Sequence, residues 1–181
     1  MDEPDDPEGV VRDRSAVVSI VEHSFDAFYR AQYRPLLTLA WSLTGRRDLA
    51  EELVQDALLT VHRRWSRVRT YDQPGSFARR VLLNDATSAA RRRAAEGRAL
   101  DRLEPPRDAV DGDALRDPEL WSALRRLPER QAQAVTLHYV EDRSVAEIAD
   151  ILGIAANTVK VHLHRGRLAL AAALRPEEGD R

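Results

Sequence analysis

Apolar residues recur at helical spacing along most of this chain, and polar stretches interrupt them. From Ser24, a candidate N-cap, Phe25, Phe28, Tyr29, Leu36, Leu37, Ala40 and Leu43 keep one face, with Pro35 predicting a break or kink and Gly45 an end. Asp48 is the expected cap of the next helix, where Leu49, Leu53, Ala57, Val61 and Trp65 form an apolar stripe at four-residue steps. Ser66 to Gly75 reads as a loop closed by the Pro74-Gly75 turn signal. Ser76 is then expected to cap a helix through about Arg93, with Phe77, Val81, Leu82 and Ala86 or Ala89 inward and Arg79, Arg80, Asn84 and Ser88 outward. After a stretch rich in Asp, Pro and Gly, the pattern resumes. Leu120, Trp121, Leu124 and Leu127 share a face, and Pro128 opens a helix with Ala132, Val135, Tyr139 and Val140 as core.

The strongest local signal is Ser144 to Lys160, two short helices joined by a turn. Ser144 with Glu147 three residues on is a capping box, Val145, Ile148, Ala149 and Leu152 fall on one face, and Gly153 can take the left-handed conformation that ends a helix. A second helix starts near Ala156 or Asn157. This is a helix-turn-helix, whose second helix normally enters the DNA major groove. Turning 100° per residue from Val159 keeps Leu163, Gly166 and Leu170 on the buried side. Asn157, Lys160, Val161 and His164 lie opposite, with Thr158 beside them and Arg165 and Arg167 flanking. Asn can pair with adenine, Lys with guanine and His with a base or phosphate, while Val161 can meet a thymine methyl. The two arginines suit phosphates, which fix register and make binding salt-sensitive.

Composition narrows the field. The 181 residues contain no cysteine, which excludes disulfides, thiolate metal sites and a cysteine nucleophile. No run approaches the roughly 20 apolar residues of a membrane span, and the acidic amino terminus is unlike a signal peptide, so a cytoplasmic location is expected. A net charge of -2 looks wrong for a nucleic-acid binder, but the arginines group at 63–69, 79–80, 91–93 and 165–167. All basic residues but Lys160 are Arg, which offers planar, bidentate contacts. The Arg91-Arg92-Arg93 triplet is also stabilising at a helix C-terminus in its own right. No nucleophile with its base, phosphate-binding Gly loop or zinc motif is present, so neither an enzyme nor a cofactor or metal is expected. His162 and His164 point to different helix faces, which speaks against a metal pair.

Two further clusters carry chemistry. Arg67 and Arg69 beside Tyr71 are what a single-strand site needs, since a base can stack on the ring while the cations hold phosphates. Glu51, Glu52, Gln55 and Asp56 make an acidic helix face, which is either a solvated face near a positive helix N-terminus or a docking surface for a basic partner.

Both halves resemble the bacterial sigma-70 factors in their small two-domain extracytoplasmic function (ECF) form, of the actinobacterial SigE-like type. The C-terminal likeness rests on Leu127-Pro128-Glu129-Arg130-Gln131, Tyr139-Val140-Glu141-Asp142, Ser144 through Lys160 and Arg165-Gly166-Arg167, and the N-terminal one on Asp48 to Ala57 and on Phe77 to Asn84. The resemblance implies an all-α fold of two small helical domains, region 2 at 23–95 and region 4 at 118–175, joined by a flexible linker at 96–117. An acidic, disordered tail is expected at 1–22 and a short tail at 176–181. It favours docking for the acidic face: Glu51, Glu52, Gln55, Asp56 and Leu59 would bind core RNA polymerase at its β′ clamp helices, with the β flap as a second contact. Arg67, Arg69, Tyr71, Phe77, Arg80 and Asn84 would bind and melt the -10 element. Asn157, Thr158, Lys160, Val161, His164, Arg165 and Arg167 would read the -35 element. The partners implied are core polymerase, promoter DNA and an anti-sigma factor on a separate chain, with no membrane and no small-molecule substrate.

The chain departs from the family in places. Ala155 stands where the family often has a Ser cap, so the recognition helix is expected to start a residue later, capped by Asn157. Gly166 replaces a usual Ala and should soften the helix by about 1 kcal/mol. Asp85, Thr87 and Ser88 are unusual on the -10 helix. The alternative is a stand-alone dimeric helix-turn-helix regulator of a palindromic site, and a third class is an adaptor that has lost DNA binding.

Overall fold

A computed structural model describes residues 24–95 and 117–175, all of whose regular elements are helices. The expected tails and almost all of the expected linker lie outside these residues. In chain order the helices are α1 (Phe25–Thr44), α2 (Arg47–Arg63), α3 (Trp65–Val68), α4 (Pro74–Ala95), α5 (Pro118–Arg126), α6 (Glu129–Tyr139), α7 (Val145–Leu152) and α8 (Ala156–Ala173).

The first unit is built on α1, which packs against α2 and α4 while α2 packs against α4. Ser24 accepts a hydrogen bond from the Ala27 N–H at 3.1 Å, and Gly45 ends α1 in the left-handed region at φ 66°, its N–H on the Trp41 carbonyl at 2.7 Å. Pro35 does not break α1. The run Leu36 to Ser42 that follows it is buried, and this packing offsets the roughly 3 kcal/mol a mid-helix proline costs.

Several local expectations change. Asp48 is not a cap: α2 starts at Arg47, and Asp48 lies in its first turn, accepting from Arg46 Nε at 3.0 Å. Ser76 is not a cap either, because Pro74 starts α4 and places Ser76, buried, inside the first turn. The expected Ser66–Gly75 loop begins with the helical turn α3.

In the second unit α8 packs on α6, α7 and α5. The capping box of α7 is present: Ser144 Oγ accepts from the Glu147 N–H at 3.2 Å and Glu147 Oε2 accepts from the Ser144 N–H at 2.9 Å. Gly153 closes α7 at φ 64°. The N-cap of α8 is Ala155, with no side-chain hydrogen bond, so Asn157 does not cap it and instead lies exposed in the first turn. Gly166 has a packing role that helix propensity does not reveal, since a Cβ there would sit 2.6 Å from Val135 Cγ2 on α6.

The two units share one apolar core. Trp41 of α1 and Trp121 of α5 meet edge to face at 5.2 Å, and α7 lies along α4. The Arg125 guanidinium packs 5.9 Å from the Trp41 ring centre.

Candidate nucleic-acid interface

Helix α8 divides cleanly by face. Val159, Leu163 and Gly166 are buried, while Asn157, Thr158, Lys160, Val161, His164, Arg165 and Arg167 are all exposed. The structure therefore brings every residue expected at the -35 element onto one outward surface. With 18 residues the helix is about 27 Å long, and its width suits a major groove about 12 Å wide. Val161 is 45% exposed, an apolar side chain in a position where only a partner would cover it. Arg167 reaches back to donate to the Tyr139 hydroxyl at 3.5 Å. His162 is half-buried, away from His164. Among the described residues, no group of three or more His, Cys, Asp or Glu side chains could hold a metal ion.

On α2 the inward stripe is Ala50, Leu53, Val54, Ala57, Leu58 and Val61. Glu52, Gln55, Asp56 and Leu59 are exposed on the other side, Leu59 at 45%. Glu51 differs from them: it is half-buried and accepts from Arg47 Nε at 2.8 Å. The sequence did not group Asp85 with these acids. It lies on α4 near Asp56, and burial together with the Asp56 charge raises its carboxyl pKa. Spacing within one helix could not show this, because the pairing joins two helices.

Arg67, within α3, and Arg69, at its C-terminal end, are exposed. Tyr71 is half-buried, its ring edge-on to Phe77 at 5.7 Å. Asn84 is exposed one turn beyond Arg80 on α4. Arg80 itself is engaged, donating to the Ile151 carbonyl at 3.3 Å and to the Asp150 carboxylate at 3.2 Å at the end of α7.

Arg79, expected outward, is buried. Its Nε and Nη2 donate to the two Glu141 carboxylate oxygens at 2.5 and 3.0 Å, and Nη1 donates to Gln32 Oε1 at 2.8 Å and the Gly75 carbonyl at 3.1 Å. The reason is tertiary, since Glu141 lies 62 residues away in the connection between α6 and α7. From Glu141 the charges continue through Arg143, at 3.7 Å, to Glu147 at 3.0 Å, inside the capping box.

Residues 28–96 match the family model for sigma-70 region 2, and residues 118–170 match that for sigma-70 region 4. Among curated proteins, the chain is 31% identical over 154 residues to the ECF RNA polymerase sigma factor SigM of Mycobacterium tuberculosis, covering 84% of this chain and 78% of that one. It is 32% identical over 152 residues to the RNA polymerase sigma-E factor of Streptomyces coelicolor, covering 83% and 85%. Among solved structures, the sigma factor RpoE of Bartonella quintana, in complex with the anti-sigma factor NepR, has the same fold. The TM-score is 0.71 at 24% identity, over 85% of this chain and 98% of that one.

Proposed function

This chain belongs to the sigma-70 family as an ECF sigma factor, and we propose how its surfaces divide the work of promoter recognition. The outward face of α8 reads the -35 element: Asn157, Lys160, Val161 and His164 face the bases, while Thr158, Arg165 and Arg167 hold phosphates. The region 2 unit takes the other end. Tyr71 and Phe77 supply an aromatic platform for a base taken out of the stack, Arg67, Arg69 and Arg80 hold the strand, and Asn84 reads it. Glu51, Glu52, Gln55, Asp56 and Leu59 form the surface that meets the β′ clamp helices of core polymerase. The β flap is its second polymerase contact.

One observation carries this reading: all seven side chains assigned to the -35 element lie exposed on one face of α8, whose opposite face is buried. The two DNA sites are held in one chain, at expected boundaries 23–95 and 118–175, so each raises the effective concentration of the other and neither needs high affinity alone. The chain acts without catalysis or cofactor of its own, and it works in the cytoplasm; among the described residues no helix is long and apolar enough to cross a membrane. A separate anti-sigma chain is the natural regulator, by analogy with the complex of the sigma factor RpoE with the anti-sigma factor NepR.

Mixing the purified chain with core RNA polymerase tests the proposal. Co-elution with core and transcripts that depend on a promoter are the expected results. Absence of both, with a specific shift of a palindromic duplex by the chain alone, would replace it with the dimeric regulator.

A further inference from the structure

Tyr139 leaves the core that its spacing predicts. Ala132 and Val135, on the same stripe of α6, are 6% and 5% exposed, whereas the Tyr139 side chain is 54% exposed. The reason lies in how α8 meets α6. Tyr139 ends α6 one turn past Val135, and Gly166 of α8 lies so close to Val135 that the next residue, Arg167, comes level with the phenol. Arg167 Nη1 donates to the Tyr139 hydroxyl at 3.5 Å. On another side the His138 ring stands edge-on to Tyr139 at 4.7 Å. His138 is tethered in turn, since its Nδ1–H donates to the Arg143 carbonyl at 2.8 Å and a carbonyl can only accept. Lys160, His164 and Arg167 fall within about 60° of one another around α8, with Arg167 about 4.5 Å beyond His164 along the axis. Tyr139 therefore stands at the end of the base-reading stripe, on a different helix.

A carboxylate beside Arg167 would neutralise it, but a phenol orients the guanidinium and leaves its charge for an outside anion. Among the described residues no ion pair engages Arg167. The phenol carries one proton, and because its oxygen already accepts from Arg167 that proton is left to donate. The adjoining cation makes it a stronger donor. Charged N–H groups and an O–H on one exposed surface match an anionic group that only accepts, which is what a phosphate presents. We propose that Tyr139 is a phosphate-binding residue of the -35 complex, its hydroxyl and Arg167 closing together on one DNA phosphate beside the base-reading stripe. The inference rests on the assignment of α8 to the -35 element made above. Such a contact carries no sequence information. It fixes the register in which Lys160 and His164 meet the bases.

Titrating the full chain against two short DNA duplexes of unrelated sequence, by fluorescence anisotropy over a range of salt, tests the pair. Arg167→Ala should weaken both duplexes about tenfold and lower the salt slope by about 1. Tyr139→Phe removes only an exposed hydroxyl, so folding is not at stake, and it should weaken both duplexes alike by about threefold. Its salt slope should match the parent's, because the lost group is neutral and releases no counterion. In the Arg167→Ala background, Tyr139→Phe should weaken binding no further, since the two act on one phosphate. Multiplicative losses in that cycle would overturn the shared phosphate. A Tyr139→Phe slope lowered as far as that of Arg167→Ala would reduce the phenol to a support and overturn its own contact, and unequal effects on the two duplexes would make it a base reader. Unchanged binding by Tyr139→Phe, with losses in Arg167→Ala and Lys160→Ala, would overturn the inference and leave α8 as the -35 surface. No effect of any of the three would overturn that assignment as well.

Discussion

Gly166 offers the sharpest test of the packing that presents the recognition helix. On propensity alone, Gly166→Ala in the middle of α8 should stabilise the chain by about 1 kcal/mol. The structure reverses that expectation. The new Cβ would lie 2.6 Å from Val135 Cγ2 and 3.7 Å from the Gln131 Cβ and carbonyl oxygen, so α8 or Val135 must move. Val135 is 5% exposed and β-branched within a helix, which leaves it no free rotamer to retreat into. Overpacking of this kind costs about 1–3 kcal/mol, so the net effect should be a loss of about 0–2 kcal/mol once propensity is set against it. Val135→Ala alone should cost about 1–3 kcal/mol through the hole it leaves. In that background the sign should flip, with Gly166→Ala now stabilising by up to about 1 kcal/mol, because the clash has gone and the propensity gain remains. Urea unfolding of the four chains, followed by far-ultraviolet circular dichroism, measures the cycle. A Gly166→Ala chain about 1 kcal/mol more stable than its parent, or a strictly additive cycle, would refute the close approach of α8 to α6.

Reversing charge with Glu52→Lys and Asp56→Lys should abolish co-elution with core polymerase while leaving the circular dichroism spectrum intact, since both side chains are exposed; unchanged affinity would return that face to solvent. Lys160→Ala should relax preference at the -35 element, whereas Arg165→Ala should weaken all duplexes alike and lower the salt slope by about 1, as a titration of both variants over salt would reveal. Glu147 titrates well below its usual 4.5, at about 2, because the Ser144 N–H, the Ser144 hydroxyl and Arg143 all favour its charged form. A depressed carboxylate stabilises the fold above its unfolded pKa and loses that contribution as pH falls toward the folded one. The stability gap between the parent and Glu147→Gln should therefore be full above about pH 4.5 and close toward pH 2, and a carbon-detected titration of Glu147 should show the low midpoint directly.

What could be read from sequence follows how far apart the interacting groups lie. Ser144, Glu147 and Gly153 act on backbone within one helix, so their meaning is local and the helix-turn-helix was legible from them. The exposed face of α8 followed from rotation about a single axis. Where a helix begins was less legible. Pro74 displaced Ser76 from the cap, Arg46 stands before α2 in place of Asp48, and Ala155 starts α8 with no side-chain contribution. Each of these is decided by how the chain enters the helix from its neighbours. Arg79 was beyond reach for another reason: helical periodicity in α4 says nothing of a carboxylate 62 residues away. Gly166 looked like a weakness because propensity is a property of one helix, and the compensation lies on another.

Trp41 and Trp121 come from different units and meet at 5.2 Å. With only three tryptophans in the chain, this contact makes the molecule its own optical gauge. Two indoles that close share excitation, so their near-ultraviolet dichroism and emission belong to the pair only while the units stay docked. Replacing Trp65 by Phe would leave those two rings as the sole indole emitters, excited selectively over the four tyrosines at the red edge of the absorption band. Arrival of polymerase, DNA or an anti-sigma chain could then be followed in real time, without any dye, by whether the shared signal persists or splits into two separate ones.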